Sequence, residues 1–178
     1  MTRSRVSFAR ALAPALLLAA TAPALAEPVE MPNRKAGLWE MKMVSEAMAG
    51  MTMQHCTDET TDKEMRAAAS PMAKEICSKN EVQKTANGYV TDSVCEIAGM
   101  KMNTHAEIVG DFNSAYTVSS TSQQQGGPGG GPRQTKMTLD AKWMGPCRPD
   151  QKPGDIVMPG GFKMNVKDME KLKGLLPK

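Results

Sequence analysis

The sequence predicts a mainly β fold, in which a single antiparallel meander forms a curved sheet or partly closed barrel, with one or two short helices. Apolar and polar residues alternate with a period of two in several segments, which is typical of strands with one buried face. Turn residues containing glycine or asparagine separate these segments at short intervals. The strands do not alternate with long helical patterns, so the sequence favours a meander over βαβ units.

The first alternating segment covers residues 38–43 and places Trp39, Met41 and Met43 on one face of a strand. Ala49-Gly50 predicts a turn into a second alternating segment at residues 51–55. Asn87-Gly88 predicts a second hairpin, because both residues tolerate a positive φ. The remaining strands are expected near residues 79–86, 89–97, 100–108, 113–122 and 133–143.

Two helices are predicted. The first begins at an N-cap of Thr60 or Thr61, with Glu64 as the reciprocal partner of Thr61, and ends before Pro71. The second covers residues 166–176, where one side carries the apolar residues Val166, Met169, Leu172 and Leu176.

Residues 1–26 have the pattern of a cleavable signal peptide, which predicts export to the periplasm. Three arginines precede a short apolar run at 11–20, and Ala24-Leu25-Ala26 forms an A-x-A site with cleavage expected after Ala26. The apolar run is about half of the ~20 residues that span a bilayer. We therefore expect three parts: the signal peptide, a β domain at 27–148 with a low-complexity loop at 123–132, and a tail at 149–178.

The net charge of the chain comes entirely from the predicted signal peptide. The formal net charge is +3, and Arg3, Arg5 and Arg10 account for all of it, since 19 Lys+Arg and 19 Asp+Glu follow Ala26. A neutral domain has no long-range field that would concentrate nucleic acid or anionic lipid. We expect no nucleic-acid partner, and no membrane span after signal cleavage.

Four cysteines follow the signal peptide, and an even number in an exported protein favours disulfides. Pairing Ala86 with Tyr89 across the predicted turn places residue 80 opposite Cys95, three residues from Cys77. A bulge could close this gap, so Cys77–Cys95 and Cys56–Cys147 are the preferred bonds among three connectivities. A metal site built from Cys56, Cys95, His55 and His105 is less favoured, because no C-x-x-C is present.

Methionine is the unusual component of this composition. Fifteen of the 16 methionines follow the signal peptide, while aromatic residues make up 4% of the chain. One hypothesis is that methionine fills the core in place of leucine and phenylalanine. The other is a copper site that uses soft thioethers and an imidazole, built from Met41, Met43, Met51, Met53 and His55.

The sequence favours a non-enzymatic domain that binds a small apolar ligand or an envelope protein on a methionine-lined face. A periplasmic copper-binding or copper-buffering protein is the alternative, and a hydrolase with an unrecognised site is the third. Apart from copper in that alternative, no cofactor is expected. No catalytic residue is predicted, because the chain contains neither a G-x-S-x-G turn nor an H-E-x-x-H motif.

Several motifs together resemble a family of short proteins exported by Gram-negative bacteria, catalogued as domain of unknown function 3617. They are Gly37-Leu38-Trp39-Glu40, Met48-Ala49-Gly50-Met51, Cys56, the pair Cys77 and Cys95, and Lys142 to Cys147. The resemblance extends over about residues 34–148. It implies a periplasmic β-rich domain and assigns no activity to it.

Overall fold

The computed structural model describes residues 29–46, 48–127 and 131–168. Within these ranges the chain forms nine strands, one long α-helix and a short 3-10 helix at Pro159–Gly161. The long elements in chain order are β1 (Gly37–Ser45), β2 (Met48–Thr57), α1 (Glu59–Ile76), β3 (Cys77–Thr85), β4 (Gly88–Ile97), β5 (Met100–Asp111), β6 (Ala115–Gln125) and β7 (Arg133–Gly145). Two short strands follow, β8 (Asp155–Val157) and β9 (Lys163–Asn165).

All nine strands belong to one antiparallel sheet that is not closed, which confirms the predicted fold class. Their spatial order is β3-β4-β5-β6-β7-β1-β2-β8-β9. The five strands from β3 to β7 therefore form a meander, and β1 pairs with β7, the last long strand. This pairing places the N-terminal hairpin next to the end of the meander.

Helix α1 connects β2 to β3, which lie six positions apart in the sheet. Its 18 residues span about 27 Å at 1.5 Å per residue. Six strand spacings measure about 29 Å along a flat sheet, and less across a curved one. The helix is therefore long enough to cross the sheet from one side to the other.

The N-terminus of α1 differs from the prediction. Asp58 is the N-cap, and its side chain accepts a hydrogen bond from Thr61 N (2.7 Å), while the Thr61 hydroxyl accepts from Asp58 N (2.9 Å). The predicted pairing of Thr61 with Glu64 is wrong because Thr61 occupies the third helical position of this capping box. The predicted end before Pro71 is also wrong, since the helix continues to Ile76 and Cys77 then enters a disulfide.

The predicted first turn at Ala49-Gly50 is wrong, although Gly50 does have a positive φ of 68°. Met43 pairs with Met51 and Ser45 pairs with Met48, so β2 contains one extra residue in this stretch. Gly50 therefore belongs to a bulge inside β2, where a glycine with a positive φ is typical. The bulge leaves the predicted faces of the two strands unchanged.

The second hairpin contains the Cys77–Cys95 disulfide, and its register explains the three-residue gap expected from the sequence. Thr85 pairs with Gly88, so the turn consists of Ala86-Asn87 and not of Asn87-Gly88. This register moves the expected partner of Cys95 from residue 80 to residue 78. An irregularity between Cys77 and Lys79 shifts it by one more residue, so that Cys77 pairs with Cys95. The structure contains both preferred disulfides, the second being Cys56–Cys147.

The sheet also extends beyond the predicted elements. β6 continues to Gln125, into the segment expected to be a loop, and β8 and β9 add two unpredicted strands after residue 148. Residues 166–168 are helical, as expected for the start of the second helix. The rest of that helix and the predicted signal peptide lie outside the described residues. Among the described residues, no helix has the length and apolar character needed to span a membrane.

Candidate ligand-binding face

One face of the sheet, which we call the inner face, is apolar across β5, β6, β7, β1 and β2. Cross-strand pairs fix its members: Met41 pairs with Met53 and with Ala141, Ala141 pairs with Tyr116, and Val118 pairs with Ile108 and Leu139. Because side chains alternate along a strand, the same face carries every second residue from these positions. Its larger aliphatic and thioether side chains are Met41, Met43, Met51, Met53, Met100, Met102, Ile108, Val118, Met137 and Leu139.

The inner face is not a fully closed core. Among its described side chains Trp39 and Ile108 are buried, while Met41, Met43, Met51, Met53, Val118 and Leu139 stay partly exposed. The opposite face carries polar pairs, such as Thr117 with Asp140 and His105 with Asp92. The sheet therefore has one polar, solvent-exposed face and one apolar face that is partly exposed.

Helix α1 lies on the side of the inner face. Asp62 in its first turn binds Arg34, and Arg34 in turn contacts Met41 Sδ (3.8 Å) and His55 Nδ1 (3.2 Å) on the sheet. Near the other edge, Lys63 and Arg66 of α1 line a cleft together with Val82 of β3. The cleft has a volume of about 780 Å³ and is bounded on its third side by residues 30–33. The first half of α1 is thus separated from Val82 by an open cleft, although α1 does contact β3 and β4.

The segment before β1 holds Arg34 in place. The Trp39 indole donates to Lys35 O (2.8 Å) and the Trp143 indole to Ala36 O (3.1 Å). Gly37 follows with a φ of +135°, and a Cβ at this position would lie 2.3 Å from Gly145 O. A side chain at residue 37 would push this segment away from β7, which explains why a glycine begins β1.

Arg34 and Asp62 form a buried ion pair with side-chain exposures of 10% and 7%. Arg34 Nε donates to Asp62 Oδ1 at 2.7 Å, Arg34 N donates to Asp62 Oδ2 at 3.0 Å, and Arg34 Nη2 lies 2.7 Å from Asp62 Oδ1. A pair of opposite charges with this many hydrogen bonds is largely compensated. The inner face therefore ends in a polar group with no net charge.

His55 lies beside this pair and is fully buried. The guanidinium of Arg34 has no acceptor, so His55 Nδ1 accepts the hydrogen bond from Arg34 Nη2 and the neutral ring carries its proton on Nε2. Among the described residues, His55 Nε2 has no hydrogen-bond partner. The pKa of His55 falls from 6.5 to about 4, first because burial disfavours the charged ring and second because of Arg34, while Asp62 opposes the change.

Four aromatic rings continue the inner face beyond the ion pair. Trp39 contacts Tyr116 (5.6 Å between centroids), Tyr116 stacks on Phe112 (4.8 Å), and Phe112 meets Tyr89 edge-on (6.0 Å). Burial raises the pKa of the Tyr116 phenol, and nearby Arg34 partly offsets this. The aromatic rings therefore close the end of the face at which Arg34 lies.

A sequence profile for a protein family of unknown function, DUF3617, matches residues 34–147. The chain belongs to this family. The DUF3617 match begins at Arg34 and ends at Cys147, so it includes the ion pair, the inner face and both disulfides. No curated protein and no solved structure matches the chain.

The five predicted ligand or metal residues of this DUF3617 domain lie on the same face. Met41 pairs with Met53, Met43 pairs with Met51, and His55 is the next inner-face residue of β2 after Met53. The less favoured metal site is not assembled. Cys56 and Cys95 belong to different disulfides, and His105 lies on the polar face beside Asp92 and Glu107.

Arg34 and Asp62 are functional candidates that sequence reasoning missed. Arg34 lies in an irregular segment and Asp62 in a helix 28 residues later, so no local periodicity connects them. The described residues of the DUF3617 domain contain no cluster of three or more His, Cys, Asp or Glu side chains that could hold a metal ion. The polar end of the inner face is therefore an ion pair with a histidine, and a metal site would have to use other ligands.

The low pKa of His55 makes the domain sensitive to mild acid. An unfolded chain takes up a proton at His55 near pH 6.5, whereas the native state does so near pH 4. Stability from this group is complete above pH 6.5, falls as the pH decreases, and reaches a loss of roughly 3 kcal/mol near pH 4.

Urea unfolding between pH 7 and pH 4.5 tests this prediction. The His55→Asn variant is expected to be less stable at pH 7 but to lose the slope over this range. His105→Asn is the matched control: the pKa of His105 is raised, mainly by its hydrogen bond to Asp92, so the fall should persist. An unchanged slope in His55→Asn would show that another group causes the acid sensitivity.

Proposed function

We propose that this DUF3617 domain is a non-enzymatic periplasmic protein that binds a small apolar or amphipathic molecule, such as an acyl chain, on its inner face. The observation that carries the proposal is the partial exposure of six inner-face side chains on the side where α1 lies: Met41, Met43, Met51, Met53, Val118 and Leu139. An exposed, contiguous apolar surface typically marks a binding site.

A small ligand fits this surface better than a folded partner protein. Helix α1 begins beside β2, ends at β3 and lies on the inner side, so it obstructs the approach of a bulky surface to the central strands. A narrow chain can enter beside the helix, as the cleft of about 780 Å³ between α1, β3 and residues 30–33 illustrates.

The methionines support the same function. A methionine side chain is unbranched and has three rotatable bonds, so it adapts to ligands of different shapes. The polar end of the face carries no net charge, because Asp62 compensates Arg34 and His55 is neutral at pH 7. A ligand with an uncharged polar group matches these properties better than a free anion.

The periplasmic location rests on the sequence. Residues 1–26 have the pattern of an export signal, and the four cysteines are all paired in the structure. Disulfides persist in an oxidising compartment, so their presence supports export.

Binding of the fluorescent apolar probe N-phenyl-1-naphthylamine tests the proposed function. Val118 lies on the inner face of β6, and its neighbour Ser119 points to the opposite face. Val118→Glu is expected to weaken probe binding by about tenfold or more, because a bound ligand would desolvate the new carboxylate. Ser119→Glu is the matched control and should bind like the unmodified protein.

Circular dichroism of both variants checks that the sheet is intact. Equal binding by Val118→Glu and Ser119→Glu would contradict the proposed site, as would the absence of saturable probe binding by the unmodified domain. In the latter case a partner protein would be the better explanation of the exposed face.

A further inference from the structure

The first hairpin brings four thioethers together on the inner face. Met41 lies directly opposite Met53, and Met43 lies directly opposite Met51. Opposite residues of an antiparallel pair have Cβ atoms about 5 Å apart, and diagonal neighbours about 7–8 Å apart. Flexible methionine side chains can close these distances, so the four sulfur atoms can converge.

Arg34 already contacts two of the five predicted metal ligands, Met41 and His55. Its Nη1 points to Met41 Sδ, so that sulfur already faces a cationic donor. Its Nη2 donates to His55 Nδ1, which leaves the proton on Nε2 and neither ring nitrogen with a free lone pair. The remaining sulfurs belong to Met43, Met51 and Met53.

We propose that Met43, Met51 and Met53 form a three-thioether site for a soft monovalent metal ion, Cu(I). Thioethers are soft ligands that select Cu(I) over harder ions. They are uncharged, so they do not offset the charge of a divalent ion. The nearest β7 neighbours on the same face are Leu139 and Ala141, which offer no hard oxygen ligand.

The three side chains are reachable without unfolding. Each is partly exposed, whereas a methionine that only fills a core would be buried. Among the described residues, β8 pairs with β2 only at Gln54 and His55, so the neighbouring edge at residues 51–53 is not covered by a strand. The charged residues Glu40 and Lys42 alternate with the methionines and point to the opposite face.

Titration of the exported chain, residues 27–178, with Ag(I) tests this site without any redox step. Isothermal calorimetry should detect one Ag(I) per chain. Met43→Leu and Met51→Leu should each weaken binding by about tenfold or more, since leucine keeps the apolar volume and removes the sulfur. Met144→Leu is the matched control, because Met144 is 50% exposed at the end of β7, and it should bind normally.

Equal Ag(I) affinity in Met51→Leu and the unmodified chain would overturn the metal site. An equal loss in Met144→Leu would do the same, because it would show unspecific thioether binding. The metal site is tested separately from the proposed apolar ligand: Ag(I) binding is measured without the probe and probe binding without metal, so a failure of one proposal is distinguishable from a failure of the other.

Discussion

Replacing Cys56 and Cys147 by alanine is expected to lower the free energy of unfolding by about 4–5 kcal/mol. This disulfide joins residues 91 positions apart, and a loop of that size removes much conformational entropy from the unfolded chain. Cys56 is fully buried next to the end of β2, so its loss also leaves an unfilled space. Because small domains are stable by only about 5–15 kcal/mol, this variant should be close to unfolding at 37 °C.

The Cys77→Ala/Cys95→Ala variant is the matched comparison. Its disulfide closes a loop of 18 residues, for which the same entropy model gives about 3 kcal/mol. Urea unfolding of both variants at pH 7 measures the difference. A larger loss from the 77–95 pair would contradict the view that the long loop dominates stability.

The second large effect is expected from Asp62→Asn, which should lower the free energy of unfolding by about 3–5 kcal/mol. The substitution keeps the size of the side chain but leaves the charge of Arg34 buried and uncompensated. It also removes the group that opposes the low pKa of His55, so that pKa should fall further.

A double variant distinguishes a charge effect from a packing effect. Arg34→Met combined with Asp62→Leu removes both charges, so its loss should be smaller than that of Asp62→Asn alone. Chemical unfolding at pH 7 measures all three proteins. If the double variant is at least as unstable as Asp62→Asn, an uncompensated charge is not the cause.

Much of the sheet could be predicted because strand faces depend only on local alternation. Met41, Met43, Met51 and Met53 lie on one face as expected, even though the prediction placed the turn between the two strands at the wrong residues. Gly50 illustrates why the turn was misplaced: the sequence shows a glycine, which suits a positive φ, but turns and bulges both use such a glycine, and the structure gives Gly50 a φ of 68° inside a bulge. Which one forms depends on the pairing of β1 with β2, and no local signal fixes that pairing.

The polar end of the site could not be predicted from local patterns. Arg34 precedes the first strand, Asp62 lies in a helix, and their contact depends on how α1 crosses the sheet. The capping box illustrates a similar limit: Asp58, Thr60 and Thr61 are all suitable N-caps, and only the structure selects Asp58. β8 and β9 have three residues each, which is too short for a clear period-two signal.

The most direct test of the central claim, an apolar ligand on the inner face, is a methyl NMR titration. The chain from residue 27 to residue 178 would be labelled at its methionine methyl groups and titrated with monolaurin, an acyl chain with an uncharged head group. We predict saturable shifts for the inner-face methionines of β1, β2 and β7, which are Met41, Met43, Met51, Met53 and Met137, with little change at Met144. Unchanged inner-face signals, or shifts confined to Met144, would contradict the account.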